Sequence, residues 1–167
     1  MSDKLFGNEY QGIDGEFLNC IYELMDSGKV VVMKGMKKHA DVDCFDHCLF
    51  VSYVSFLTCK RLGMDCRSAA RGGLLHDFYL YDKSSVSGFK HRAQHPKIAL
   101  ENADLCFELS DKEKDIILKH MWPITFGIPR YRESFVVDAV DKYCTYLEIT
   151  GSNSLKVIDE IKRLLTY

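Results

Sequence analysis

The sequence predicts an all-α protein, a single-domain helical bundle of about six or seven helices. Three observations predict it. Apolar residues recur at three- and four-residue spacing through most of the chain. Cap and stop residues punctuate the same segments, Asp43, Asp65, Ser110 and Ser154 at helix starts and Gly28, Gly63 and Gly151 after helix ends. Prolines are few, at positions 96, 123 and 129 of 167 residues, as suits helices, whose interiors proline disrupts. That length holds one domain with a proper core, so residues 1–167 are expected to form a single domain.

The elements follow in order. A first helix is expected over about 15–26, with Phe17, Ile21, Leu24 and Met25 on one face and Gly28 ending it. Lys29 to Met33 is a short β-branched run that fits a strand, a buried connection or part of a helix. His39 to Asp43 reads as a loop. Asp43 then caps a long helix over about 44–62, with Gly63 past its end and Met64 supplying the apolar contact beyond.

Asp65 caps a third helix over about 66–79, whose start holds Ala69, Ala70, Gly72 and Gly73, small enough for a neighbouring backbone to come close. Asp82 to Gln94 is polar and reads as a loop. His95-Pro96 opens the next helix, with proline at the first helical position, and Ile98, Leu100, Leu105 and Phe107 form its apolar side. Ser110-Asp111-Lys112-Glu113 is a capping box. The helix it starts carries Ile116, Ile117 and His120. Pro123 to Pro129 is a loop, followed by a helix from Tyr131 or Glu133 to Thr150. A last amphipathic helix begins at Ser154, with Leu155, Ile158, Ile161, Leu164 and Leu165 as its stripe.

Composition narrows the function classes. Apolar residues make up 47% and charged residues 28%, ordinary for a soluble domain. A net charge of −2 argues against a nucleic-acid scaffold, which is normally basic. A small phosphorylated substrate needs only a local positive site. The seven cysteines are odd in number and lack a Cys-x-x-Cys, which points to reduced thiols and a cytoplasmic location. Cys44 and Cys48 share a helix face as small apolar residues. The first twenty residues carry no secretory pattern, and no apolar run approaches the ~20 residues of a membrane helix. Oligomeric state stays open.

The chemistry begins at His76-Asp77, a charged pair at the end of Gly72-Gly73-Leu74-Leu75. Burial there is costly without compensation. A divalent metal compensates such a pair, because imidazole nitrogen and carboxylate oxygen suit the same cations. His47 precedes the pair, and His95, His120 and Asp141 follow it. Each lies on an expected helix or at a helix start. Successive helix positions differ by about 100°, so His76 and Asp77 can grip one ion from two directions or share two. Several helices can therefore aim His and Asp at one place in the bundle.

This His…His-Asp…Asp pattern resembles that of the HD-domain superfamily of metal-dependent phosphohydrolases. The resemblance covers about residues 43–150. Leu74-Leu75-His76-Asp77 is similar to the family's second motif, His47 stands where its first histidine is expected, and Asp141-Lys142-Tyr143 resembles its closing motif. The resemblance implies an HD-like core over 43–150, with helices 15–26 and 154–165 packed on it. It implies one metal held by His47, His76, Asp77 and Asp141, and a second held by His95 and His120 with Asp77 bridging. The implied cofactors are one or two divalent transition metals (Fe, Mn, Co, Ni or Zn, with Mg also open).

The implied reaction is attack of a metal-activated water on a small phosphoester, with a nucleotide among the candidate substrates. Asp77 would orient the hydroxide. His91, Lys119 and a metal-bound water are the alternatives for protonating the leaving group. Arg71, Lys90, Arg92 and Lys97 are candidate phosphate contacts, as are Arg130 and Arg132, whose loop beside His120 could act as a clamp. Trp122 and Phe126 could line a pocket for a flat group or simply anchor the loop. Asp138 could accept a hydrogen bond from a ligand histidine or be an exposed charge. His39 reads as a surface residue.

The departures matter. Phe78-Tyr79-Leu80 stands where many members continue with Ile-Gly and a lysine. His120 is followed by Met121-Trp122-Pro123, not by the motif of the cyclic di-GMP hydrolases, so that substrate is not carried over. The chain is similar instead to small stand-alone bacterial HD proteins. Two other functions fit the ligand pattern, a di-iron oxygenase of the HD fold and a nucleotide-sensing module with little turnover.

Overall fold

A computed structural model describes residues 15–39, 42–80, 88–125, 127–150 and 154–165. Seven α-helices lie among them: α1 (Gly15–Asp26), α2 (Cys44–Arg61), α3 (Cys66–Leu75), α4 (Gly88–Cys106), α5 (Asp111–Lys119), α6 (Arg132–Ile149) and α7 (Ser154–Leu164). The all-α bundle is therefore the observed architecture.

Helix α2 is the centre of the bundle. Its buried positions run through Cys44, Phe45, His47 to Phe56 and Cys59, so it is covered on nearly every side, as a core helix must be. Asp43 caps it by accepting from the Asp46 amide at 2.9 Å. Gly63 takes the left-handed φ of 62°, and the Met64 amide reaches back to the Cys59 carbonyl at 2.9 Å, closing the helix end.

Helix α3 lies against α2, with α1, α5 and α6 around it. Two glycines permit this. A β-carbon on Gly73 would stand 3.0 Å from the Ser52 α-carbon on α2, and one on Gly72 would stand 2.7 Å from the Ile116 side chain on α5. The Ser52 hydroxyl also donates to the Ala70 carbonyl at 2.7 Å. The glycine pair thus lets α3 run between two helices at backbone distance.

Helix α1 buries Phe17, Cys20, Ile21, Leu24 and Met25, with the Phe17 ring edge-on to Tyr53 of α2 at 5.0 Å. Helix α7 packs on α2 and α6 through Val157, Ile158 and Ile161. Lys162 pairs with Asp46 at 2.7 Å across the same junction.

The stretch from Lys29 to Met33 is a 3-10 helix with Val30 and Met33 buried, the helical of its three open readings. Several other sequence expectations are corrected. The loop expected from His39 is partly a two-stranded antiparallel pairing of β1 (Lys37–His39) with β2 (Val42–Asp43). Strands of three and two residues are too short for alternation to betray them. Helix α3 stops at Leu75, not Tyr79.

Helix α4 starts at Gly88, so the expected loop over 88–94 is helical and Pro96 sits inside the helix. Its inward row is His95, Ala99 and Ala103, while Leu105 is 86% exposed. Leu164 is likewise half exposed and outside the α7 stripe. Residues 82–87, Gly151 and the side chains of Ser154 and Leu155 lie outside the described residues. No described helix is long and apolar enough to cross a membrane.

Candidate metal centre

The six expected ligands converge. His47 comes from the second turn of α2, His76 is the C-cap of α3, and Asp77 lies in the turn after it. His95 is on α4, His120 is the C-cap of α5, and Asp141 is on α6. The pair does not stand on one helix, as the spacing had suggested. His76 keeps helical dihedrals, φ −58° and ψ −31°, and the chain then turns at Asp77, whose carbonyl accepts from the Tyr79 amide at 2.8 Å. All six are buried; His47, His76 and Asp77 are fully so.

Two ligand groups share Asp77. His47, His76 and Asp77 form one, and Asp77, His95 and His120 the other; within each, the ligand atoms lie within 4.8 Å of one another. Such groups can hold a metal ion. Asp77 Oδ1 is 3.2 Å from His95 Nε2 and 3.6 Å from His120 Nε2. On the other side, His76 Nε2 is 3.6 Å from both Asp77 Oδ2 and Asp141 Oδ1.

Backbone carbonyls set the tautomers. His76 Nδ1 faces the Gly73 carbonyl at 2.7 Å, and His120 Nδ1 faces the Ile117 carbonyl at 2.8 Å. A carbonyl only accepts, so each Nδ1 carries the hydrogen and each neutral ring turns its Nε2 lone pair inward. Burial holds His76 below the ordinary imidazole value, and burial with its histidine neighbours holds His120 well below it. Both rings are therefore neutral near pH 7.

His95 Nε2 and His120 Nε2 hydrogen-bond at 2.8 Å. His76 Nε2 and Asp77 Oδ1 are buried without a hydrogen-bond partner, and Asp77 Oδ2 is met by the Lys38 ammonium. Buried polar atoms are normally satisfied, and unpartnered acceptors this close together suit a cation between them. This is the fit to a metal: a cage of imidazole nitrogen and carboxylate oxygen.

His47 differs. Its Nδ1 lies 3.0 Å from both oxygens of Glu148, and its Nε2 lies 3.0 Å from Asp141 Oδ1. Burial and the Lys38 ammonium push its pKa down, but the hydrogen bonds to Asp141 and Glu148 prevail and raise it. Burial would raise Asp141, yet its hydrogen bond with His47 and the neighbouring His76 ring hold it well below the usual carboxylate range.

Two residues of the site were not foreseen. Glu148, 4% exposed, orients His47 from behind, as carboxylates commonly do for ligand histidines. It stands seven residues after Asp141 on α6, two helical turns along one face, and that spacing was the available signal. Lys38 reaches in from β1, and its ammonium ion-pairs with Asp77 Oδ2. No sequence signal marked it, because its strand is three residues long. Cys44 and Cys48 also lie beside Asp77. The Cys44 thiol donates to the Asp77 carbonyl at 3.7 Å, and burial with the Cys44 contact holds Cys48 a protonated thiol. All seven cysteines are free.

Other candidates fall elsewhere. Arg71 is buried and committed to Glu113, Glu23 and the Glu108 carbonyl, which corrects its reading as a phosphate contact. Asp138 pairs with Lys142 rather than with a ligand histidine. Lys97 is exposed and pairs with Glu101 at 3.8 Å.

Arg130 and Arg132 are exposed. The Arg130 amide is held by Asp115 at 2.9 Å, and Arg132 opens α6 about 14 Å of helical rise before Asp141. Lys119 packs where a Gly127 side chain would be. Trp122 packs edge-on against Phe135 at 5.7 Å. The side chains of Lys90, His91 and Arg92, the side chain of His39, and Phe126 lie outside the described residues.

Fold and cluster together define an all-α protein with a buried His/Asp centre able to hold metal. No protein-family model, no curated protein and no solved structure matches this chain.

Proposed function

We propose that this chain is a metal-dependent phosphohydrolase of the HD type, acting on a small phosphoester, with nucleotides the first class to test. One observation carries the reading. Four histidines lie around one buried carboxylate, Asp77, with Asp141 against two of them, in the order His, His-Asp, His, His, Asp that the HD pattern has.

Bound divalent ions would supply an activated water and neutralise phosphoryl charge. The chain's own residues do the rest. Asp77 offers one oxygen to each ligand group, so it is the bridge. His76 and His120 are pinned by backbone carbonyls, which hold their Nε2 lone pairs on the cluster without further rotation. Glu148 fixes the His47 ring. A preorganised cage of this kind spends little reorganisation on binding its ions.

The seven free thiols support a reducing compartment, and a cytoplasmic location belongs to this proposal. The test is phosphate or nucleoside release from a panel of phosphomonoesters and nucleotides, using protein loaded with Mn²⁺, Fe²⁺, Co²⁺ or Ni²⁺. Turnover that vanishes in Asp77→Ala supports the reading. A fully loaded protein that releases nothing overturns it, and oxygen uptake by the iron form would point to an oxygenase instead.

A further inference from the structure

We propose that Lys38 is the substrate-anion cation of this site, held by Asp77 when no metal is bound and released to grip a phosphoryl oxygen when metal takes Asp77. This rests on the phosphohydrolase reading, and it identifies the cationic group that the sequence does not supply after Asp77.

The geometry is specific. The Lys38 ammonium sits on Asp77 Oδ2, with its side chain 10% exposed. The oxygen it meets is the one that faces His76, so the ammonium lies against the first ligand group. Among the described residues, the other basic groups expected to bind phosphate are elsewhere. Arg71 is spent on Glu113 and Glu23, and Lys97, Arg130 and Arg132 are exposed. Lys38 comes instead from a two-stranded antiparallel pairing, at the register irregularity between Lys37 and His39, next to the helix that carries His47.

Charge then dictates the behaviour. Asp77 has two oxygens. Oδ1 faces His95 and His120, and Oδ2 faces His76 and the ammonium. A divalent ion held by His47, His76 and Asp77 claims the oxygen that Lys38 occupies. The two cations repel in a pocket with little water to screen them. The repulsion is relieved if the ammonium leaves or if an anion lies between them. A phosphoryl group offers such an anion, with oxygens for both the ion and the ammonium. The flexible lysine stem allows this exchange where a rigid guanidinium would resist it.

Metal and anion binding should therefore be linked through Lys38. Calorimetric titration of the metal-stripped full chain with Mn²⁺, with and without inorganic phosphate, measures the linkage. In the wild type, phosphate should tighten Mn²⁺ binding by roughly tenfold. In Lys38→Met, Mn²⁺ alone should bind more tightly than in the wild type, because its competitor is gone, and phosphate should add little. Lys38→Arg should retain the competition.

If Lys38→Met folds poorly, the wild type answers by itself. With isotope-labelled lysine, the Lys38 side-chain resonance should move when Zn²⁺ is added and move again with phosphate. Unchanged Mn²⁺ affinity in Lys38→Met, a phosphate effect equal to wild type, or a Lys38 resonance indifferent to both overturns the proposal while leaving the metal centre standing. Failure of the wild type to bind any metal overturns the phosphohydrolase reading and, with it, the role of Lys38.

Discussion

Asp77 has no freedom of role. It is fully buried, and its Oδ1 has no hydrogen-bond partner. Two histidine groups and one ammonium face it. A site built this way predicts its own metal count. Asp77→Ala should lose both ions, and His95→Ala should lose one and keep the other, as elemental analysis of purified variants would report. A wild type with a single ion would defeat the two-metal form.

Glu148 predicts an effect without touching the ions. Glu148→Gln removes the charged acceptor behind His47 and should weaken metal binding by about 10- to 100-fold, with helical content unchanged. A metal titration followed by circular dichroism checks both halves. At this scale the six ligands were legible, because buried His and Asp types are rare and their order carried information. Glu148 was legible only as the second member of a heptad spacing. Lys38 was not legible, since a lone lysine in a polar stretch looks like any solvated charge.

Elements act through how closely they approach. Gly73 is the contact of α3 with the α2 backbone, and its carbonyl also pins His76. Gly73→Ala must push α3 away from the Ser52 backbone and should destabilise the protein by about 1–3 kcal/mol, with a loss of metal affinity that Gly72→Ala does not match. Gly72→Ala should also destabilise, because its β-carbon would stand 2.9 Å from the buried Ile116 β-carbon, but it leaves the carbonyl that pins His76 in place. Urea denaturation and metal titration of the two variants make the comparison.

The α3, α5 and α6 junction should respond to pH. Burial opposes ionisation at Asp65, but the Ser68 amide and hydroxyl, with Lys112, hold its pKa down. Burial likewise opposes ionisation of Glu133, yet the Asp65 amide and Lys112 hold it low. Carboxylates lowered on folding stabilise fully above their unfolded values near pH ~4 and lose this as pH falls through the folded ones. Lys112 is raised by Glu133 and Asp65 against its burial, so its part is lost only as pH climbs through its folded value.

The difference in unfolding midpoint between the wild type and Lys112→Met should thus be flat near neutrality and shrink from about pH 6 to about pH 3, by no more than about 1 kcal/mol for a partly exposed cluster. Capping at this scale was readable. Asp43, Asp65 and Ser110 all accept from the amide three residues on. Helix α4 was misread because Pro96 looks like a helix start, and because its inward row of His95, Ala99 and Ala103 carries little hydrophobic signal.

At the scale of the whole molecule, the cluster is a structural liability when empty of charge compensation. His76 Nε2 and Asp77 Oδ1 would remain without a partner inside a helical core, with Lys38 compensating only Oδ2, so metal should stabilise the fold. At a hundredfold excess over the dissociation constant, about 2.7 kcal/mol is expected. For a domain of this size that is a rise in Tm of roughly 5–10 °C. Calorimetry with metal and with chelator reads it directly, and equal Tm values would count against a folded-state metal site.

The amino-acid sequence by itself determined the all-α class, most helix starts and stops, and the six His and Asp residues that meet at the centre. Those are local properties: periodicity, capping chemistry, and the cost of burying a charge. The tertiary structure alone decided that α3 ends before Asp77, that Glu148 stands behind His47, and that a short hairpin brings the Lys38 ammonium onto the bridging carboxylate. These depend on which backbones approach closely, and that is settled by packing across the chain. The ammonium beside Asp77 is therefore the feature that no run of neighbouring residues could announce.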